Sequence, residues 1–406
     1  MPVQPLDGAL GFALFDDDNV QDPHALYARM HSLGSVHRIG DSEFFAVSGW
    51  NAVQDVIARS EDFSSNLTAT MTYQDGTIAA FPMGELGGPT QVLATADEPA
   101  HGLHRKLILP RLAAKRMRAL EPFIMDTIDE IWCRRFDTSV EWMSSMANRL
   151  PMMVVARIIG VPPSDIDQLI RWGYAATQFV EGLVSPDQLA EAGAGVMALG
   201  GYITEKFTEA AGEQREDLLG DLAAASAAGD IDDIAALTIM ITLFSAGGES
   251  TASLIGSAAW ILATKPEIQQ QLRDEPHLMA TFLEEVLRFE PPFRGHYRHV
   301  LRDTQLDGVD LQRGSRLLLL WGAANRDPEQ FSYPDLFRLD RPRARGHLTF
   351  GKGAHFCVGA ALARLEATLV IGELMKRTRF VEATEVGRWL PSLLVRRLES
   401  LHLRFV

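Results

Sequence analysis

The stretch Phe350-Gly351-Lys352-Gly353-Ala354-His355-Phe356-Cys357-Val358-Gly359 decides how this chain is read. A glycine-rich loop runs into an Ala/Leu-rich segment of helical composition, 358–376, with Cys357 at its entrance. Backbone N–H groups at a helix N-terminus favour a thiolate. Gly351 and Gly353 permit a tight loop and a close approach of backbone to a flat ligand. A lone thiolate so placed is either a metal ligand or a nucleophile, and a buried structural cysteine is the plainer alternative. Zinc is disfavoured, because no second cysteine lies near and no CxxC is present. His355 is close in sequence, but residues two apart need not face each other, so the nucleophile reading stays open.

The rest of the 406 residues sets the context. Hydrophobic residues make up 47% and charged residues 22%, which excludes a disordered chain, a collagen-like chain and a disulfide-stapled mini-protein. A net charge of −15 argues against nucleic-acid and anionic-membrane binding. Two cysteines, Cys133 and Cys357, give no disulfide framework and suit a reducing, cytoplasmic setting; Cys133 reads as a partly buried bystander. The start, MPVQPLDGALGFALFDDD, has no Lys or Arg before its short apolar run, which Asp16 to Asp18 close, the reverse of a secretory signal. Residues 234–264 carry a single charge, Glu249, so a transmembrane helix and a helix through a large core are both candidates. Their richness in Ser, Thr, Ala and Gly, with Asp230, Asp232 and Asp233 at the entrance and Pro266 at the exit, favours the core helix, with no stable membrane insertion.

Helical spacing or composition covers 23–33, 50–59, 101–135, 139–160, 186–212, 231–264, 266–273, 275–289 and 358–376. Strand-like pieces are short: 35–39, 43–47, 297–301, 316–320 and 400–405. Turn residues cluster at 291–296 and 325–346, and 222–229 reads as a helix end plus loop. No repeat and no Pro/Ser linker is visible. The expectation is a mainly α protein with a small β part (α+β), one domain over 1–406, its β-rich region drawn from the N-terminal part.

The pattern FGxGxHxCxG resembles the heme-binding loop of the cytochrome P450 family, with every family position matched. The resemblance implies that Cys357 is the proximal thiolate ligand of heme iron, cradled by Phe350, Gly351 and Gly359; a thiolate pushes electron density onto iron and favours O–O cleavage. Four further elements stand in family order. Glu285-Val286-Leu287-Arg288, about 70 residues before the cysteine, places an acid and a base on one helix face; it resembles the family's ExxR motif, and Arg341 matches the third partner of that structural triad. Ala246-Gly247-Gly248-Glu249-Ser250-Thr251 sets two glycines and a carboxylate in an uncharged helix, costly choices in both respects. It resembles the AGxET segment over the distal heme face. By that match small residues such as Ala246 and Gly247 widen the groove for dioxygen, Glu249 is the acid and Ser250 the alcohol of a proton relay, and Thr251 can share the role. The family most often has Thr where Ser250 stands; Ser keeps the hydroxyl and loses the methyl that limits its rotamers.

Residues 99–120 hold six Lys or Arg and no acid. His101-x-x-x-Arg105 matches the family's propionate-binding pair, and Arg298 and His355 match two further propionate positions. Arg111, Lys115, Arg116, Arg118 and Lys352 remain, a basic patch suited to an acidic electron donor of the ferredoxin type. The segment 323–337 resembles the family's meander approach. Family layout puts the substrate pocket among 71–93, 177–184, the long helix near Thr242, Ser245 and Ala246, the turn 293–296 and the loop 391–394. These carry Met71, Phe81, Met83, Leu86, Phe179, Val180, Leu183, Phe293, Leu393 and Leu394, a lining for an apolar or amphipathic ligand, though half of them also suit ordinary core. Arg294 and His296 are unusual in such a turn and face either a polar substrate end or solvent.

The resemblance implies a heme-thiolate monooxygenase: an oxidoreductase holding heme b, using O2 and NAD(P)H electrons delivered through ferredoxin and ferredoxin reductase, and hydroxylating or epoxidising a small, largely apolar organic substrate. The rivals are a peroxygenase or isomerase, a non-catalytic heme protein, and a cysteine-nucleophile enzyme without heme.

Overall fold

The Asp232 carboxylate accepts a hydrogen bond from the Ala235 N–H at 2.7 Å and so starts the longest helix, Asp233–Thr264. From Gly248 to Leu262 nearly every residue is buried by other parts of the chain. The span is long and apolar enough to cross a membrane, and its second half is wrapped by protein. The computed structural model describes residues 9–74, 76–83, 91–180 and 185–406.

Gly248 and Gly256 have a packing reason for their cost. A Cβ at Gly248 would sit 2.6 Å from Met152 Cε, and one at Gly256 2.6 Å from Met143 Sδ. Both methionines belong to the strongly apolar stretch before and within the helix Arg149–Ile159, which therefore lies close against the long helix. Isoleucines 124, 128, 255 and 371, with Trp142, Phe282 and Leu287, complete this core at 0% exposure.

Most predicted helices form within a residue or two of the expected bounds. Four regions differ, one of them the expected helix 275–289, which starts with a 3-10 turn, Pro276–Leu278, and is α-helical from Met279 to Phe289. The expected helix 101–135 is three helices, Ala100–Ile108, Ala114–Ala119 and Glu121–Arg135, because Pro110 lacks the N–H a continuing helix needs. The expected helix 139–160 begins instead as a strand, Ser139–Glu141, passes through a π-turn, Met143–Ala147, and is helical only from Arg149 to Ile159. Helix Ile166–Gln178 was not expected; Leu218–Ala227 supplies the helix end read at 222–229 and begins four residues earlier. Cys133 is exposed rather than partly buried.

The β part is not confined to the N-terminal region. In the five-stranded sheet Phe44–Val47 lies between Val36–Arg38 (antiparallel) and Arg316–Leu320 (parallel). Gly295–Val300 then pairs antiparallel with Arg316–Leu320 and with Phe63–Ser64. A second sheet joins Ser139–Glu141, Leu401–Phe405 and Val381–Val386, and hairpins form at Ala69–Gln74/Thr77–Pro82 and Thr304–Leu306/Val309–Leu311. Strands distant in sequence pair here, a contact that local composition does not encode.

The helix Met279–Phe289 ties these parts together. Glu285, fully buried, accepts Arg288 Nε and Nη2 at 2.8 Å each and Arg341 Nε at 2.9 to 3.0 Å. Arg288 spends further N–H groups on the carbonyls of Asn325 and Pro334 at 2.9 Å, and Arg341 on those of Ser332 and Leu336 at 2.8 Å. One carboxylate and two guanidinium groups thus pin the irregular segment 325–341. Beside it, Glu284 accepts His347 Nε2 at 2.9 Å and Arg364 Nε at 2.6 Å. Burial alone would raise the Glu284 pKa; the bonds from His347 and Arg364 outweigh it and bring it down to about 2. Arg364 lies in the helix that follows Cys357, so this second acid fixes the thiol loop.

Glu285→Gln keeps the shape and removes the charge, leaving two buried guanidinium groups short of a counter-charge. The expected loss is about 3–5 kcal/mol, read as a lowered urea midpoint with unchanged slope; an unchanged midpoint would contradict the pinning role.

Candidate active site

The thiol loop is shaped by its own backbone. Gly351 and Gly353 sit at φ +67° and +68°, conformations that a side chain would strain. Gly351 N–H bonds the Leu348 carbonyl and Cys357 N–H the Phe350 carbonyl, each at 2.8 Å. The chain then enters the helix Ala360–Arg377. The backbone N–H groups of Gly359 and Ala360 point at the Cys357 sulfur, and a Cβ on Gly359 would lie 3.8 Å from it. The sulfur's open side is a cavity, while protein atoms crowd it elsewhere. Burial pushes its pKa above the ordinary thiol value despite those N–H groups and the cations Arg105 and Arg364. The helix terminus alone does not make a thiolate here.

The cavity measures about 250 Å³ and lies between this loop and the long helix. Ala246, Gly247, Ser250 and Thr251 form its other wall, and Phe350, Gly351, His355, Cys357 and Gly359 its floor. His101, Arg105 and Arg298 also line it, so the predicted loop, rim and distal-wall residues converge, with one exception.

That exception is Glu249. Its side chain is 2% exposed and absent from the cavity wall; it is held by Arg397 Nε at 3.1 Å. The Arg397 guanidinium stacks over Tyr174 at 4.4 Å, and Tyr174 bonds Asn148 at 3.1 Å. Burial raises the Glu249 pKa, and Arg397 and Thr177 oppose the rise. Glu249 Oε2 has no hydrogen-bond partner among the described residues. Ser250 Oγ, on the cavity side, donates back to the Ala246 carbonyl at 2.5 Å.

Along the rim, donors outnumber acceptors. Arg298 is 92% removed from solvent, bonds only the Tyr297 carbonyl at 2.7 Å, and meets no carboxylate within ion-pair reach among the described residues. Burial brings its pKa down to about 10. The His101 and His355 rings lie 4.0 Å apart. His355 Nε2 meets Ser65 Oγ at 3.0 Å while Nδ1 is left without a partner. Burial, with His101 and Arg298 nearby, lowers His355 to about 4. Arg105 reaches the Phe356 carbonyl at 3.0 Å. A buried arginine with no carboxylate in ion-pair reach among the described residues, Asp97 acting on it only from farther off, beside two imidazoles fits a ligand that brings carboxylates, and the cavity above the open Cys357 sulfur fits a flat metal-bearing group.

The substrate-side predictions divide. Thr242 and Phe293 line the cavity, and so does His296. Met83, Phe179, Val180 and Leu393 do not: Met83 and Leu393 are core, Phe179 packs edge-on to Phe81 at 6.0 Å, and Val180 lies against the N-terminal core. Met71 and Leu394 are core as well. These apolar side chains serve packing, which composition cannot tell from lining. Leu86 and Leu183 lie outside the described residues. Arg294 turns from the cavity to the carbonyls of Val20 and Val395. Leu93, at the end of the expected segment 71–93, lines the cavity; among the residues not foreseen there are Trp321 and Glu366. Glu366, 1% exposed, has burial pushing its pKa well up and leaves Oε2 unpartnered. An acid nine residues past the cysteine, in an otherwise Ala/Leu-rich helix, was the available signal.

Long helix, thiol loop and carboxylate cradle define a heme-thiolate protein, and the comparisons say which. The cytochrome P450 family model matches residues 201–391. Over 391 residues the chain is 61% identical to "Cytochrome P450 144" of Mycobacterium tuberculosis, covering 96% of this chain and 90% of that protein. It is 30% identical to the cytochrome P450 monooxygenase PikC of Streptomyces venezuelae, over 100% and 94% of the two chains. A ligand-free cytochrome P450 structure from Mycobacterium smegmatis superposes with a TM-score of 0.88 at 26% identity, over 98% of this chain and 100% of that one. The chain belongs to the cytochrome P450 family and is a bacterial P450 monooxygenase.

The burial of Arg298 gives a prediction of opposite signs. Arg298→Met removes a desolvated charge that no ion pair offsets and should stabilise the heme-free protein, while weakening heme retention. Urea unfolding of the apoprotein and heme transfer to excess apomyoglobin check the two halves.

Proposed function

We propose that the chain holds heme b in the cavity, with Cys357 as the iron ligand and His101, Arg105, Arg298 and His355 as partners of the propionates. The observation that carries this is the open Cys357 sulfur facing a cavity whose rim holds a buried arginine with no carboxylate in ion-pair reach among the described residues. When bound, that group supplies dioxygen activation: two electrons and two protons are consumed with O2, one oxygen atom enters the substrate and the other leaves as water. Everything else is done by the chain. Phe350, Gly351 and Gly359 keep the loop flat and close; the N–H groups of Gly359 and Ala360 hold charge on the sulfur once a metal has displaced its proton.

Glu249 is the proton source and Ser250 the hydroxyl at the cavity wall, with Thr251 beside it. Burial raises the Glu249 pKa above the ordinary carboxylate value, which favours its protonated form, and its Oε2 has no hydrogen-bond partner among the described residues. Delivery requires the side chain to turn from Arg397 toward Ser250. Glu285, Arg288 and Arg341 remain structural.

The substrate is a small, largely apolar organic molecule, hydroxylated or epoxidised. Thr242, Leu243, Phe293 and Leu93 supply apolar wall with few polar atoms. Electrons come from NAD(P)H through a ferredoxin and its reductase. Lys106, Lys115, Arg116 and Arg118 are exposed, and Leu109 and Phe356 are exposed beside them at 41% and 43%, giving an acidic donor both steering and apolar contact. Arg111 is not part of that surface, since Asp221 and the Glu216 carbonyl hold it. A cytoplasmic location and no nucleic-acid partner follow from the acidic composition and the absence of a disulfide framework.

The deciding experiment is the absorption spectrum of the dithionite-reduced protein with and without carbon monoxide. A strongly red-shifted Soret band is expected in the wild type and its loss in Cys357→Ala; an identical spectrum in the variant would remove Cys357 from its role. Glu249→Gln should slow turnover on the order of tenfold or more and divert reducing equivalents to peroxide, read as product formed per NADH; unchanged coupling would remove Glu249 from the relay.

A further inference from the structure

His296 and Arg298 sit on Gly295–Val300, paired opposite Leu319 and Leu317. Alternation along a strand sends both side chains to the same face, and both line the cavity. His296 is the one nearer Phe293 and the apolar turn, with their rings 5.1 Å apart. Its other neighbour is Trp321, whose Nε1 lies 2.6 Å from His296 Nδ1. An indole N–H can only donate. Nδ1 must therefore accept, and the ring proton sits on Nε2. Nε2 is not among the buried atoms lacking a partner, which leaves it open on the cavity side.

Trp321 also opposes a second proton. Protonation would turn Nδ1 into a donor facing a donor. The cation of Arg298 and the ring of His355 face the same space and disfavour a further positive charge there; burial is the largest influence and takes the His296 pKa down to about 3. The result is a donor of fixed direction that stays neutral throughout the physiological range.

We propose that His296, locked as its Nε2–H tautomer by Trp321, is a hydrogen-bond donor for a carboxylate oxygen at the boundary between the propionate rim and the apolar part of the cavity. That oxygen comes either from the porphyrin edge or from the polar end of a substrate. The proposal rests on the heme reading above, and heme incorporation in the wild type is scored first, so a failure of that reading shows before any variant is compared.

Two arms separate the sources. In the first, wild type, His296→Phe and His296→Gln are loaded with heme or with its dimethyl ester, and transfer to excess apomyoglobin is timed. In the second, dodecanoate and dodecanol are titrated into each holoprotein and followed by the Soret shift. A porphyrin-edge contact makes His296→Phe lose heme about tenfold faster, the size of one hydrogen bond to a charged group, with no difference for the dimethyl ester. A substrate contact weakens dodecanoate about tenfold and leaves dodecanol unchanged. In the affected arm His296→Gln, which keeps a donor, recovers part of the loss. Trp321→Phe, which keeps an aromatic ring and removes the N–H, shows part of the loss through the freed tautomer. Where dodecanoate does not bind the wild type, the heme arm alone decides. His296→Phe within twofold of wild type in both arms overturns the proposal, as does an equal effect on heme and its ester or on dodecanoate and dodecanol, since packing alone would produce either.

Discussion

One buried carboxylate carries more of this structure than any other group. Glu285 neutralises both Arg288 and Arg341, and those two guanidinium groups spend their remaining N–H bonds on carbonyls of a segment with little regular structure of its own. Irregular backbone away from water needs partners for its carbonyls, and here side chains supply them. With that segment fixed, Asn325 reaches the Thr349 hydroxyl at 2.9 Å and the Leu348 N–H at 2.7 Å, and Glu284 holds Arg364. The thiol loop hangs between these anchors. Its placement below the long helix depends on charges that never touch the cavity.

The long helix meets two demands. Gly248 and Gly256 let the methionines of the neighbouring segment approach, so those two glycines serve helix packing. Gly247, which borders the cavity, would also meet Val155 Cγ2 at 2.9 Å if it carried a Cβ. The glycine pair that resembles a dioxygen groove is therefore also a contact surface. Glu249 shows the same double use: a charged residue in an apolar helix is costly, and Arg397, from the far end of the chain, offsets that cost while drawing the carboxylate away from the cavity.

The legible parts of the chain were those with short-range causes. Helix bounds followed apolar spacing and acidic N-terminal residues, and failed where Pro110 broke a segment whose composition was uniformly helical. Loop and rim residues were legible through the resemblance of their motifs to a known family: Cys357, His355, Arg298, His101 and Arg105 all reach one cavity. The substrate wall was legible at Thr242, Ala246, Phe293 and His296. Met83, Phe179, Val180 and Leu393 are as apolar as true wall residues, and only the packing around them tells the two apart. Trp321 was invisible as a site residue for the same reason, being one more apolar residue at the end of an apolar strand.

Taken alone, the sequence determined the mainly helical class and the thiol loop, whose physics is local, while the triad and the cationic rim were legible through resemblance to a family rather than through spacing. Only the tertiary structure decided which strands pair across the chain, that Arg397 holds Glu249, that burial outweighs the helix terminus at Cys357, and that Trp321 fixes the proton of His296. Those outcomes depend on distances between residues tens to hundreds of positions apart, and on how completely water is excluded around them, neither of which spacing along a chain records.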